Sequence, residues 1–326
     1  MLQVKSKLIT IIPVRNGAEF IGQALDSVAN QTLQPDRVIV QDNCSTDNTE
    51  EVVKAYKRLN IEWVQNGSDT LSIGNFNRGL ENADQTEYLH LLCADDTIKP
   101  KFYERLIHEL DSCPGVGMAY CLDERIDQNN QKISVSGKET GTSDILELDD
   151  YLRAKAEYSN QAVSGTLFKT AGQKAPCKLR DEFIIVWDAA FHAEWASHSK
   201  LIVRVNEALS HFRWHDSNGT LDWAPKIGAL VLAEWQVMQM VEKLRQAKPG
   251  YIRRFKLQGM FGVRSGIKAL RYRQSGNAVY AQQIVKLARP ISGPLAWYMA
   301  QAIVYAREVA VYKIGGRRRH PQNIYA

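Results

Sequence analysis

Cysteine is scarce in this sequence and nowhere arranged for pairing: Cys44, Cys93, Cys113, Cys121 and Cys177 make five in 326 residues, with no C-x-x-C pair. An odd count at irregular spacing excludes a disulfide framework and a structural zinc site, and places the chain in a reducing cytoplasm. A strong excess of one charge is also missing. Lys and Arg outnumber Asp and Glu by 41 to 36, a formal net charge of +5 with the basic residues dispersed. That balance suits an anionic substrate or a membrane surface but is no nucleic-acid footprint. No convincing membrane span is present, since the most apolar stretch, in the C-terminal tail, is cut short by charge. Near the N-terminus Lys5 and Lys7 precede the apolar run 8–14, but Pro13 and Arg15 end it too early for a signal peptide, so it reads as a buried strand. Internal repeats are lacking, and the one biased tract is the basic run 317–319.

What remains is ordinary globular material, 44% hydrophobic and 24% charged, large enough for one big domain or two unequal ones. Up to about Tyr120, short β-branched runs alternate with helical patterns, the pattern of a mostly parallel sheet flanked by helices. Strands are predicted at 8–14, 37–42, 61–65, 88–92 and 116–121. Ile21, Leu25 and Val28 fall at i, i+4 and i+7, one buried helical face. A second helix follows Thr46. Open sheets of this kind bind ligands beyond the carboxyl ends of their strands, where this chain carries Asn16, Asp42 and Asp95. Residues 127–144 are polar without apolar periodicity and read as a long loop over or beside the site. A helical pattern at 183–198 and strands at 200–205 and 208–214 follow. Beyond Asp222 all reads as helix, beginning with Val231, Trp235 and Met238 on one face.

The segments Ile11-Ile-Pro-Val-Arg-Asn16, Ala24-Leu-Asp-Ser-Val28, Asn30-Gln-Thr32 and Val40-Gln-Asp-Asn-Cys-Ser-Thr-Asp47 resemble, in that order, the N-terminal signature of family 2 inverting glycosyltransferases of the GT-A fold. The likeness continues through Asn75-Phe-Asn-Arg-Gly-Leu80 and Leu91-Leu-Cys-Ala-Asp-Asp96, and more loosely through Trp187-Asp188 and Phe212-Arg-Trp-His215. It covers roughly the first two thirds of the chain. It implies a GT-A (Rossmann-like) α/β catalytic domain over 1–222, with a nucleotide-sugar half to about 122 and an acceptor-side half beyond, followed by a helical C-terminal region over 223–326.

Each motif also has a reading from its chemistry. Asp42 ends a strand, where a carboxylate can accept from a base N–H or ribose hydroxyl; the plainer alternative is that Asp42 and Asp47 cap the following turn and helix. Asp95 and Asp96 project together from a strand end, and two carboxylates repel unless a cation joins them. Hard divalent ions take such ligands together with substrate phosphates. The resemblance therefore implies Mn2+ or Mg2+ at Asp95, with Asp96 on the metal or capping a helix. The family's usual first acid is Cys93 here, a thiol that is a poor ligand for magnesium. Asp188, in an apolar helical setting, suits a general base; Trp187 stands where the family has Glu, and Asp181 and Glu182 are rivals. Arg213 and His215 resemble a late element contacting diphosphate or metal. Pro13, Arg15, Asn16, Asn77 and Arg78 fall in segments that line the donor site in relatives.

Together these imply an inverting, metal-dependent transferase that moves a sugar from a nucleotide-diphospho-sugar to a saccharide or lipid-linked acceptor, in bacterial-type cell-surface polysaccharide synthesis. Two alternatives stay open. One is a non-catalytic scaffold subunit of an envelope-polysaccharide complex, suggested by Trp187 and Cys93. The other is a nucleotidyltransferase, which would want a Gly-rich phosphate loop where Val14-Arg-Asn-Gly17 stands. The tail from Pro294 to Tyr312 carries Trp297, Tyr298 and Tyr305 before Lys313 and the basic run, a composition suited to an interfacial helix on the inner face of the cell membrane or to a helix packed on the catalytic domain.

Overall fold

A computed structural model describes residues 7–83, 86–156, 161–170, 175–183, 185–215, 227–245 and 250–315, with side chains followed to 306. The chain gathers into two compact units, Met1–Lys155 with Ser159–Asp216, and Ala156–Tyr158 with Ser217–Ala326. The expected boundary at Asp222, the side chain of Tyr312 and the basic run 317–319 lie outside the described residues.

The first unit is built on one ten-stranded sheet. Its strands are β1 (Leu8–Val14), β2 (Arg37–Asp42), β3 (Ile61–Gln65), β4 (Tyr88–Leu91), β5 (Thr97–Ile98), β6 (Val116–Asp127), β7 (Lys132–Val135), β8 (Ser143–Glu147), β9 (Thr166–Lys169) and β10 (Leu201–Trp214). The order is β3-β2-β1-β4-β9-β6-β10-β5, with β7 on β6 and β8 on β10. The run from β3 to β4 is parallel, whereas β9 enters antiparallel between β4 and β6. Every residue of β1 is buried, as its unbroken apolar run requires of a strand covered on both faces. Pro13 sits in it harmlessly: β4 stops pairing at Ile11↔Leu91, so the missing N–H removes no ladder bond on that side.

Helices α1 (Ile21–Ala29), α2 (Thr49–Ala55), α3 (Leu71–Asn82), α4 (Phe102–Ser112), α5 (Leu148–Ala156) and α6 (Trp187–Ala196) complete the unit. The predicted face of α1 is fully buried through Ile21, Leu25 and Val28. Helix α3 packs close to the sheet at Gly79, where an added Cβ would lie 2.6 Å from Ile11 Cγ2. Gly79→Ala should therefore lower stability by about 1–3 kcal/mol, the usual range for overpacking, as read from a urea midpoint.

Two segments differ from their sequence reading. Residues 127–144 hold strands β7 and β8 rather than loop throughout. Asp127 Oδ1 accepts from the N–H groups of Asn129 and Gln131, both at 2.8 Å, and Asn130 takes φ 64°, so the polar run 127–131 is a hairpin turn. Strands β7 and β8 have only exposed or half-buried residues and hence no apolar alternation. The two strands expected at 200–205 and 208–214 are one, β10, whose register shift between Val205 and Ala208 is a bulge absorbing Asn206 and Glu207.

The second unit is all helix over the described residues: α7 (Ile227–Leu244), α8 (Tyr251–Gln274), α9 (Ala278–Ser292) and α10 (Pro294–Gly315). Its own core includes Val231, Met238, Phe261, Ala281, Ile284 and Trp297, and the half-buried Trp235 packs 5.2 Å from the Phe261 ring. No helix among the described residues is long and apolar enough to cross a membrane.

Candidate active site

The carboxyl ends of β1 and β2 are tied by short polar bonds. Asn16 takes φ 51°, a left-handed conformation that Asn tolerates better than most residues, and its Oδ1 accepts from the Thr46 N–H at 2.8 Å. Its own N–H donates to Ser45 Oγ at 2.8 Å. Asp42 is fully buried and accepts from the Ser45 N–H, at 3.1 Å, and from Gln65 Nε2 at 3.1 Å. It thus caps the turn after β2, the plainer of its two readings. Arg15 is exposed and paired with Asp69, which also accepts from Asn43 Nδ2 at 2.9 Å. Beneath them lies an amide cluster that the sequence did not single out for the site. Asn66 Nδ2 donates to Asn43 Oδ1 and Asn75 Oδ1, each at 2.9 Å, and Asn75 Nδ2 donates to the Gln41 carbonyl at 2.9 Å. Buried amides at this density fix the loops, because each unmade bond would leave a desolvated polar group.

The acidic centre follows β4. Asp95 is half-buried, its side chain 32% exposed, and His215 Nε2 lies 3.1 Å from its Oδ2. Asp96 is buried, and both of its oxygens are engaged: Ser164 Oγ donates to Oδ2 at 2.6 Å and the Arg213 N–H to Oδ1 at 2.9 Å. Burial first, and the neighbouring Asp95 second, push the Asp96 carboxyl well above the usual carboxylate range. The Cys93 thiol is pushed up by burial and then by Asp96, Asp95 and Asp188. Cys93, Asp95 and Asp96 each offer a ligand atom within 4.8 Å of the others. A hard divalent ion fits this set through Asp95, the carboxylate that still faces outward, with His215 beside it; Asp96 serves the protein as an anchor.

Ser164 links the acids to the core. Its carbonyl lies 2.9 Å from His90 Nε2, and His90 Nδ1 is 3.0 Å from the Tyr103 hydroxyl, which meets Thr10 Oγ1 at 2.6 Å. Burial lowers His90 to about 4, so the imidazole is neutral near pH 7 and donates from one ring nitrogen only.

Arg213 turns inward. Its side chain is fully buried, with Nε on the Asp95 carbonyl at 2.7 Å, NH1 on Asn130 Oδ1 at 2.7 Å and NH2 on Gln23 Oε1 at 3.0 Å. The guanidinium lies 4.9 Å from the Phe20 ring, and His215 packs 4.7 Å from the same ring. These bonds brace the turn that carries Asp95.

Asp188 lies in the first turn of α6, where a helix N-terminus favours a negative charge. Its Oδ1 accepts from the Ala189 N–H at 2.7 Å, and its charge reaches Cys93, Tyr151 and Lys155. Of these, Cys93 is two residues before Asp95. Asp181 and Glu182 are exposed, and Glu182 pairs with Arg180 at 3.6 Å. Trp187 packs 4.5 Å from the Phe76 ring of α3, which accounts physically for an aromatic at that position. Asn77 uses both ends of its amide on the Leu179 backbone, each at 2.8 Å, so it pins that segment. Arg78 is exposed and makes no ion pair among the described residues. Lys155, absent from the sequence reading, is buried, and burial brings it down to about 8 against the opposing pull of Asp188.

Residues 9–162 match the family model Glycosyl transferase family 2. An uncharacterized glycosyltransferase of Rickettsia typhi is 31% identical over 125 residues, 38% of each chain. The GalNAc(5)-diNAcBac-PP-undecaprenol beta-1,3-glucosyltransferase of Campylobacter jejuni is 27% identical over 157 residues, 46% of this chain and 48% of that one. The chain thus matches less than half the length of these curated relatives. Among solved structures, S. aureus TarS in complex with UDP-GlcNAc aligns with a TM-score of 0.54 at 16% identity, covering 86% of this chain and 90% of that chain. The mannosyltransferase PcManGT from Pyrobaculum calidifontis in complex with GDP-Man and Mn2+ aligns at 0.55 and 16% identity, covering 95% and 81%. The likenesses show a GT-A fold, and segment 9–162 carries the family 2 pattern within it.

Proposed function

We propose that this chain is a family 2 nucleotide-sugar glycosyltransferase that moves one sugar, with inversion, onto a saccharide or lipid-linked acceptor in the synthesis of a cell-surface polysaccharide. The observation that carries the reading is the Asp95–His215 pair beyond the carboxyl ends of a parallel run of strands, with Asp188 near enough for its charge to act on the Cys93 thiol two residues before Asp95. The first can hold a cation against a diphosphate, and the second can accept a proton.

In this reading the loops after β1 and β2, set by Asn16, Asp42 and the amide cluster, receive the nucleoside. Pro13 and Arg15 shape the same edge. Asp95 and His215 hold Mn2+ or Mg2+, which when bound neutralises the leaving diphosphate. Asp96 and Arg213 keep Asp95 in place, and Asn77 keeps the 177–180 segment beside α3. Asp188 takes the proton of the attacking acceptor hydroxyl on the face opposite the leaving group, and a single displacement inverts the anomeric carbon.

The helical unit belongs to the same proposal as a peripheral membrane contact on the cytoplasmic side. Between residues 250 and 306 the sequence has nine Lys and Arg and no Asp or Glu, a balance suited to anionic lipid.

The test is a panel of nucleotide sugars screened by thermal shift with Mn2+ or Mg2+. One donor should raise the melting temperature only with metal present, since saturation at 100 times Kd stabilises by about 2.7 kcal/mol. A panel spanning the common bases and sugars without any metal-dependent shift would overturn the reading.

A further inference from the structure

Helices α8 and α10 close on each other along one line and part along another. Gly262 sits on the closed line, where an added Cβ would lie 3.0 Å from Ala300 Cβ and 3.2 Å from Ser292 Oγ. On the open line runs a groove of about 620 Å3. Its α8 wall includes Phe255, Gly259, Met260, Val263 and Ile267, a stripe at helical spacing, and its α10 wall includes Met299 and Ile303. At 1.5 Å per residue the stripe from 255 to 267 is roughly 18 Å long. A Cβ at Gly259 would meet nothing within 4 Å, so the groove is open where that residue faces it.

Apolar side chains at the rim stay in solvent: Met299 is 52% exposed and Ile303 56%. Tyr298 and Tyr305 on the same helix are also exposed, the amphipathic aromatic composition found at membrane interfaces. The polar side chains lining the groove are cationic. Lys256 is exposed with no ion pair among the described residues, and Arg264 bonds Glu234 at 3.0 Å on the side toward α7.

We infer that the groove between α8 and α10 binds the hydrocarbon chain of an anionic membrane lipid, with Lys256 facing its phosphate. The floor supplies apolar surface with adaptable methionine walls, and the wholly basic stretch around it selects the charge of the headgroup. A neutral lipid lacks the second feature, and an acidic soluble anion lacks the first. The inference rests on the membrane contact proposed above and makes it specific to one seat.

The experiment uses the full chain, with vesicles of phosphatidylcholine alone or mixed with phosphatidylglycerol, read by co-sedimentation. The wild-type protein should bind the mixed vesicles, more weakly as salt rises, and ignore the neutral ones. Gly259→Leu fills the groove from within; replacing a mid-helix glycine should leave the melting temperature unchanged or raise it while vesicle binding falls at least roughly tenfold. Ile303→Gln, at an exposed rim position, should weaken binding in the same direction without relying on the first variant. If the mixed vesicles bind both variants as they bind wild type, the membrane contact stands and the groove assignment is wrong. Failure of the wild type to bind either vesicle overturns both. Concentration-dependent dimerisation that Gly259→Leu abolishes, without vesicle binding, would assign the groove to a second copy and overturn the lipid. Metal-dependent donor shifts, measured on the same variants, report the first unit separately.

Discussion

Asp188→Asn is expected to lower kcat by roughly 100-fold to 10,000-fold while leaving the affinity for donor nearly unchanged, the loss associated with removing a positioned base. The amide keeps the shape and can still accept from the Ala189 N–H, so the helix start survives. What it loses is the capacity to take a proton from the acceptor hydroxyl. Asp181→Asn and Glu182→Gln are the controls, and because both side chains are exposed, near-normal turnover is expected of them. Turnover and donor affinity for the three variants, with the product anomer assigned by NMR, give the answer. Collapse in either control with Asp188→Asn unaffected would move the base, and retention at the anomeric carbon would replace the single displacement.

The second large effect belongs to Asp95→Asn. Donor binding measured calorimetrically with Mn2+ or Mg2+ should weaken by more than roughly 100-fold, beyond the 10- to 100-fold typical of residues that only support a metal ligand. Excess chelator should bring the wild-type protein to the same level. Asp96→Asn is expected to act differently: its carboxyl carries the Ser164 hydroxyl and the Arg213 N–H, so the loss should appear first in the melting temperature. Full activity in chelator, or an Asp95→Asn variant indistinguishable from wild type, would remove the cation from the reading.

The positions of strands β1 to β4 and the buried face of α1 were legible because strands covered on both sides are apolar for most of their length, as β1 is, and a helix buries one face at i, i+4 and i+7. Asp95 and Asp188 stood out in the sequence for a different reason, as acids in segments resembling the family motifs. The bonds that arrange them did not. Ser164 lies 68 residues from Asp96, and nothing in a Val-Ser-Gly run marks its hydroxyl as the partner of that acid. Lys155 sits in a helix whose other charged residues face water, and only the packed chain shows that this one is buried. For Arg213 the resemblance implied a contact with diphosphate or metal; its inward turn onto Phe20 and Gln23 is announced by no local pattern.

The separations spanned by Arg213 have a bearing on how the protein comes to be active. Its backbone bond to Asp96 closes 117 residues and its side-chain bond to Gln23 closes 190. Contacts of that reach form late, since the entropy of the intervening chain must be overcome before they stabilise anything. During synthesis the first hundred residues already contain Asp95 and Asp96, but the Arg213 bond to Asp96 cannot exist until β10 has been made and docked. A nascent chain is thereby kept from holding Asp95 and Asp96 in their final arrangement until the sheet is complete.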